Sequence, residues 1–275
     1  MGLRINTNTT SLGVQSALNR TSGSLSEDLK KVSSGSNFSN TSSNSADYSL
    51  AQSLKAQIAS VNSARKNSEN ASSLFEAAQS GLSEQTNLLV RMRELATQSA
   101  SDTYSDSDRS LANSEQEQLN EEFNRVAEST SYGKQKLLAG DNRNYSFQVG
   151  PNNKQSDRIT FNSDANTTSS NLNVDSIDIS SRSGAVDSLE KIDSALDKIS
   201  ENRAKFGAMQ SRFSSVESSS SDLAVALQDG LSKVEDTDYA KTTSDVAKNQ
   251  ALMKYQMYAL QQSNDNTANL VRLVG

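Results

Sequence analysis

The chain has 275 residues, with 27 Lys and Arg against 33 Asp and Glu for a formal charge of −6, and it lacks Cys, His and Trp altogether. Those absences remove disulfides, thiolate and imidazole metal sites, and the Ser-His-Asp, Cys-His and HExxH systems; only a carboxylate- or lysine-based enzyme stays conceivable, and no motif supports one. The acidic balance argues against nucleic acid, no apolar run approaches the roughly 20 residues of a membrane span, and 33% hydrophobic content with a single proline suits long helical rods better than a thick core.

The opening MGLRINTNTTSL has no apolar h-region, so no cleaved secretory signal is expected. Residues 5–33 carry Ile5, Leu12, Val14, Leu18, Leu25, Leu29 and Val32, a thin helical stripe in which Leu18, Leu25 and Val32 stand a heptad apart. The polar stretch SSGSNFSNTSSNS over 33–45 ends it and reads as a linker. From about Ala46 to Ser99 apolar residues recur in three- and four-residue steps: Leu50, Leu54, Ile58, Val61, Ala64, Ala71, Leu74, Ala78, Leu82, Leu89, Met92 and Ala96. This predicts a helix about 80 Å long. SASDTYSDSD at 99–108 supplies N-cap residues for a shorter helix, whose buried face is marked by Leu111, Leu119, Phe123 and Val126.

Between 144 and 180 the period changes to two. Tyr145, Phe147 and Val149, a Gly150–Asn153 turn, then Ile159 and Phe161 predict a β-hairpin. Leu172, Val174, Ile177 and Ile179 add a further short strand or turn, and NSDANTTSSN over 162–171 reads as an exposed loop tip. The last third carries a sustained heptad: Ile192, Ile199, Phe206, Phe213, Ser220, Leu227 and Val234, flanked by Leu189, Leu196, Met209, Val216 and Leu223. Such a helix needs an equally long partner, which the 46–99 helix supplies in antiparallel pairing. Asp236 and Asp238 are N-cap candidates for a final helix from about Tyr239, with Val246, Met253, Leu260, Thr267 and Val274 seven apart and Met257 and Val271 beside them.

The expected fold is mainly α: long antiparallel coiled-coil rods, a small β-hairpin region, and paired N- and C-terminal helices. Neither terminal helix is strong enough to stand alone in water. Together they leave more apolar surface than a monomer usually carries, which points to a polymer subunit. Other paired acids, Glu121 with Glu122 and Asp236 with Asp238, read as a helix surface and as caps rather than as catalytic or calcium sites; no cofactor or metal is expected.

Several blocks, in order along the chain, resemble bacterial flagellin: INTNTTSL, SLSEDLKKVSSG, VRMRELATQSAS, EQLNEEFNRVAESTSYGKQKLLAG, FQVGPNNKQSDRI, SLEKIDSALDKISENRAKFGAMQSRF and LSKVEDTDYAK. The resemblance implies a structural filament subunit for swimming motility, with residues 1–45 and 236–275 forming an inner coiled-coil domain. It further implies a rod from 46–143 and 183–235, and a hairpin and short loop at 144–182, in a short form without outer domains. Ile5, Leu12, Leu18, Leu25, Val246, Met253, Leu260, Leu270, Val271 and Leu273 would make the inner tube and inter-subunit contacts, Ile5, Leu12, Leu18 and Leu25 pairing with Met253, Leu260 and Val271. Leu54, Val61, Leu82, Leu89, Ile192, Ile199, Phe206, Phe213 and Leu227 would form the rod core.

The implied partners are further copies in a helical homopolymer, sister flagellins, and the flagellar export chaperone, cap and junction proteins. An innate immune receptor is another, through Arg91, Leu95 and Glu115, which fall on the matching helix positions. The implied location is the extracellular filament, reached through the flagellum's own export apparatus. Departures occur at SNFSNTSSNSADYS after the Ser-Ser-Gly and in the proline-free tail QQSNDNTANLVRLVG. The competing readings are a hook-filament junction protein and a secreted adhesin or immune ligand.

Overall fold

The computed structural model describes residues 7–38 and 44–274, with the backbone alone for 270, 271, 273 and 274. Helix α1 spans Thr9–Ser34, α2 Ser45–Ser99, α3 Asp106–Ser129, α4 Arg182–Glu235 and α5 Tyr239–Val274. Short strands β1 (Ser131–Tyr132), β2 (Gln135–Lys136), β3 (Arg143–Gln148) and β4 (Arg158–Ser163) lie between α3 and α4. The chain divides into two compact units, residues 1–57 with 226–275 and residues 58–225, the divisions falling inside α2 and α4.

In the 58–225 unit the heptad of α4 is buried as its spacing requires. Ile192, Ile199 and Phe213 are wholly buried and Phe206 nearly so, together with Leu82, Leu89 and Met92 of α2. Gln79 Nε2 donates to Gln210 Oε1 at 3.2 Å, and Arg93 pairs with Asp193 at 2.7 Å, so the two helices run antiparallel. Phe75 is the centre of an aromatic cluster. Its ring lies 5.1–6.3 Å from those of Phe147, Phe161, Phe206 and Phe213, which joins both long helices to the hairpin.

Strands β3 and β4 are antiparallel, with Tyr145 opposite Phe161 and Phe147 opposite Ile159, as the alternation requires. The connection is wider than a four-residue turn. Val149 and Gly150 both donate to the Asp157 carbonyl, and a 3₁₀ turn covers Gln155–Asp157. A second, smaller hairpin, β1–β2, turns at Gly133 with φ 64°.

Two expectations need correction. Residues 162–171 are not an exposed tip: Ser163, Ala165 and Thr167 are buried in strict alternation. Thr167 N–H donates to Leu138 O at 2.9 Å, Gly140 N–H donates to Ala165 O at 3.1 Å, and Gln85 Nε2 donates to Thr167 O at 3.0 Å. Gly140 has φ 78° and a Cβ there would meet Asn166 at 2.7 Å, so this close approach requires glycine. Leu172, Val174, Ile177 and Ile179 are all buried, Leu172 in a turn and the other three in irregular chain. The segment 164–181 is thus a strap packed on the unit, pinned by Asn113 Oδ1 accepting from Ile179 N–H and Asn124 Oδ1 accepting from Ser169 N–H.

The second correction concerns α3. Leu111 is 70% exposed, whereas Arg109 and Gln116 are buried with Phe123 and Val126. Arg109 satisfies the end of α2, donating to Ser99 O and Ser101 O at 2.8 Å each. Here hydrogen bonding to the last carbonyls of a helix outweighs the apolar choice of face. Ser105, within the stretch expected to supply the N-cap, caps α3 in a reciprocal box with Asp108.

In the unit formed by 1–57 and 226–275, α1 and α5 pair antiparallel. Asn8 caps α1 by accepting from Ser11 N–H at 2.9 Å, and Gly35, at φ 71°, ends it with its N–H on Lys31 O. A short backbone clamp follows: Ser36 bridges Asp236, Asn37 N–H donates to Glu235 O at 2.7 Å, and Thr237 N–H donates to Gly35 O at 3.0 Å. Lys55 reaches Glu235 at 2.6 Å. Asp238 caps α5, accepting from Lys241 N–H, whereas Asp236 accepts from Ser232 Oγ instead.

Candidate assembly surface

The α1–α5 pair presents two distinct surfaces. The inner one faces the partner helix. On α1 it carries Ser11, Val14, Leu18, Thr21, Leu25, Asp28 and Val32, and on α5 Thr242, Val246, Asn249, Met253, Gln256, Leu260, Ser263 and Thr267, all buried or half-buried. Leu25 alone of the apolar members is fully buried, at 8% exposure. Polar residues hydrogen-bond across this seam. Asn8 Nδ2 donates to the carbonyl and Oγ of Ser263 and to Thr267 Oγ1 at 3.0–3.2 Å. Gln256 Nε2 donates to Thr21 Oγ1 at 3.0 Å, and Asn249 Nδ2 donates to Asp28 Oδ2 at 3.0 Å.

The outer surface is apolar beyond what a helix pair needs. Tyr255 and Tyr258 are 73% and 71% exposed, and Leu252, Met257, Leu12 and Leu29 are exposed with them. Leu12 therefore does not pair with α5 as expected. At about 100° per residue it projects opposite Val14, Leu18 and Leu25. Leu18, Val246, Met253 and Leu260 do lie in the seam. Ile5 and the side chains of Leu270, Val271 and Leu273 fall outside the described residues.

Of the rod residues, Val61, Leu82, Leu89, Ile192, Ile199, Phe206 and Phe213 are buried. Leu54 and Leu227 are half-buried and belong to the unit of α1 and α5.

Arg91 and Glu115 are brought together between α2 and α3. The Arg91 Nε and Nη2 both donate to Glu115 Oε1, at 2.9 and 2.7 Å, and Nη1 donates to Glu94 at 3.1 Å. The hydrogen bond to Glu115, then that to Glu94, raises the guanidinium pKa further above its ordinary value. Leu95 lies beneath, 4% exposed, in a groove that it shares with Gln98, Tyr104 and Leu111. The polar members of the α1–α5 seam are what reading the sequence for apolar recurrence missed. The recurrence of Asn249, Gln256 and Ser263 at intervals of seven is the signal that could have found them.

The profile of the bacterial flagellin N-terminal helical region matches residues 5–143, and that of the bacterial flagellin C-terminal helical region matches residues 189–274. The chain belongs to the bacterial flagellin family. The first flagellin match takes in α1 to α3 and the second nearly all of α4 and α5, so the β3–β4 hairpin and the strap lie between the two. Flagellin A of Vibrio anguillarum is 35% identical over 150 residues, which is 54% of this chain and 40% of that protein. The B-type flagellin of Pseudomonas aeruginosa is 36% identical over 152 residues, 55% of this chain and 31% of the relative. This match thus spans well under half the length of either relative. The crystal structure of Bacillus cereus flagellin superposes with a TM-score of 0.51 at 25% identity, covering 59% of this chain and 94% of that one.

Proposed function

We propose that this protein is a non-catalytic structural subunit that polymerises into the extracellular bacterial flagellar filament and serves swimming motility. Its copies would join through the unit formed by α1 and α5. The observation that carries this reading is the set of exposed apolar side chains Leu252, Tyr255, Met257 and Tyr258 on α5, with Leu12 and Leu29 on α1, in a member of the flagellin family. Burying each such side chain against a neighbouring copy contributes about 1.5–3 kcal/mol, and a helical array repeats the contact at every subunit.

In this reading residues 1–45 and 236–275 form the inner tube, to which Ile5, Leu270, Val271 and Leu273 add apolar surface. Residues 46–143 and 183–235 form the surrounding rod, and 144–182 its hairpin and short loop. The subunit would leave the cell through the flagellar export apparatus without a cleaved signal, meeting an export chaperone, the cap and the junction proteins, and could share its filament with sister flagellins. An innate immune receptor engaging α2 would meet the Arg91–Glu115 pair, with Leu95 supporting them from below.

The test is electron microscopy of purified protein added to short filament seeds in mild sulfate, which strengthens apolar burial. Long filaments of uniform diameter are expected. Persistent monomers or short capped stubs would overturn the reading in favour of a hook-filament junction protein or of obligate co-assembly with another subunit.

A further inference from the structure

We propose that Asn8, Thr21 and Asp28 on α1, with Asn249, Gln256, Ser263 and Thr267 on α5, are specificity-determining residues that fix the terminal helices in a single antiparallel register. Each helix has one apolar and one largely polar seam. On α5, Val246, Met253 and Leu260 alternate with Thr242, Asn249, Gln256 and Ser263; on α1, Leu18, Leu25 and Val32 alternate with Thr21 and Asp28. The hydrogen bonds join the polar seams to each other, Thr21 to Gln256 and Asp28 to Asn249.

A slip of three or four residues would set these polar groups against Met253 or Leu260 and leave them desolvated without partners, which is disfavoured. A slip of a whole heptad keeps polar opposite polar, so the alternation alone cannot exclude it. The third level does. Asn8 spends one amide group on three acceptors within a single turn of α5, the Ser263 carbonyl and hydroxyl and the Thr267 hydroxyl. In one direction a heptad slip puts Gln256 and Leu260 in their place; in either direction Asn8 meets another backbone carbonyl but loses both hydroxyl acceptors.

The apolar seam could not select a register by itself. Its members are short aliphatic side chains and a methionine, and Leu25 alone is fully buried among those described. Methionine adapts to whatever space it is given. A polar residue at a core position of a coiled coil fixes register at a cost in stability, and this pair has three such levels along its length. Register goes beyond the filament reading but rests on it, because the terminal helices are too weak to stand alone in water. Under that reading it also sets where Tyr255 and Tyr258 of one copy stand relative to α1 of the same copy.

The protein has no cysteine, so two introduced thiols can be spin-labelled without background. Ser16→Cys and Ala247→Cys are at exposed positions, leave every polar level intact, and lie about 20 Å apart along the pair axis in the observed register. A heptad slip changes that axial separation by about 10 Å. Dipolar distance measurements on the labelled full chain, diluted with unlabelled chain in seeded assemblies, are expected to give one narrow population. The same labels with Asn8→Ala, Thr21→Val, Gln256→Leu, Asp28→Leu and Asn249→Leu are expected to give further populations displaced by about 10 Å.

A chain with Asp28→Asn and Asn249→Asp exchanged keeps a donor opposite a carboxylate and should restore the single population, which separates register from general damage. One narrow native population after all levels are removed, or several populations with all levels present, would overturn the proposal. Failure of the unaltered chain to elongate seeds would count against the filament reading and this one with it, whereas several populations in elongated assemblies would count against the register alone.

Discussion

Phe75 and Leu111 show how far position outweighs residue type. Both are large and apolar, but Phe75 is wholly buried with four phenylalanine rings around it, whereas Leu111 is 70% exposed on α3. Truncating Phe75 removes transfer energy and opens a cavity that the two long helices and the hairpin cannot all close upon. Phe75→Ala should therefore cost about 3–5 kcal/mol. Leu111→Gln removes no packed contact and keeps a good helix former, so it should change stability by no more than about 0.5 kcal/mol. Urea unfolding followed by circular dichroism tests both, and equal midpoints for the two variants would contradict the burial argument.

Among the elements, α3 is the one whose ends are most explicitly built. The hydroxyl and backbone N–H of Ser105 both donate to the Asp108 carboxylate, the hydroxyl first in effect, and together they hold the Asp108 pKa below the ordinary carboxylate value. A folded-state pKa lowered relative to the unfolded chain means that the contribution is complete above the unfolded value and is lost as pH falls through the folded one. Ser105→Ala should accordingly lower the unfolding midpoint at neutral pH, and the gap from the unaltered protein should narrow as the solution is taken below the carboxylate range. A gap constant down to the acid limit would show that the hydroxyl caps the helix without involving Asp108.

That the stretch 99–108 supplies an N-cap was legible in the sequence because capping is a local rule, and so were α2 and α4, whose Leu82, Leu89, Ile192 and Ile199 follow the helical period without interruption. The strap was not. Its buried positions Ala165 and Thr167 are small or polar, and they are held by backbone hydrogen bonds to Gly140 and Leu138 that no apolar pattern announces. The face of α3 was misassigned for a related reason, since Arg109 is buried to satisfy carbonyls at Ser99 and Ser101. The candidate surface was legible in part. Leu18, Met253 and Leu260 could be placed in a seam by spacing, but Leu12 has the same chemistry and the wrong angle. Thr21, Asn249 and Gln256 have the right angle and a chemistry that a search for hydrophobic recurrence passes over.

At the scale of the whole molecule, the two units differ in how complete they are. Residues 58–225 bury rings and long aliphatic side chains in one continuous core. In the other unit, the fully buried apolar residues among those described are Leu25, Ala51 and Leu231. Its apolar side chains have been made and not used: Tyr255 and Tyr258 are more than two-thirds exposed in a chain with only seven tyrosines and no tryptophan. If copies of the protein complete that unit for one another, removing the two rings should leave the single chain untouched and weaken its addition to an end. Tyr255→Gln with Tyr258→Gln keeps helix-forming side chains on α5 and touches no hydrogen bond of the α1–α5 seam. Loss of the burial of two such side chains, roughly 3–6 kcal/mol in all, raises the critical concentration for elongation about 10²- to 10⁴-fold. Sedimentation of seeded reactions across a concentration series measures it. An unchanged critical concentration, with circular dichroism also unchanged, would place the growing contact elsewhere on the molecule.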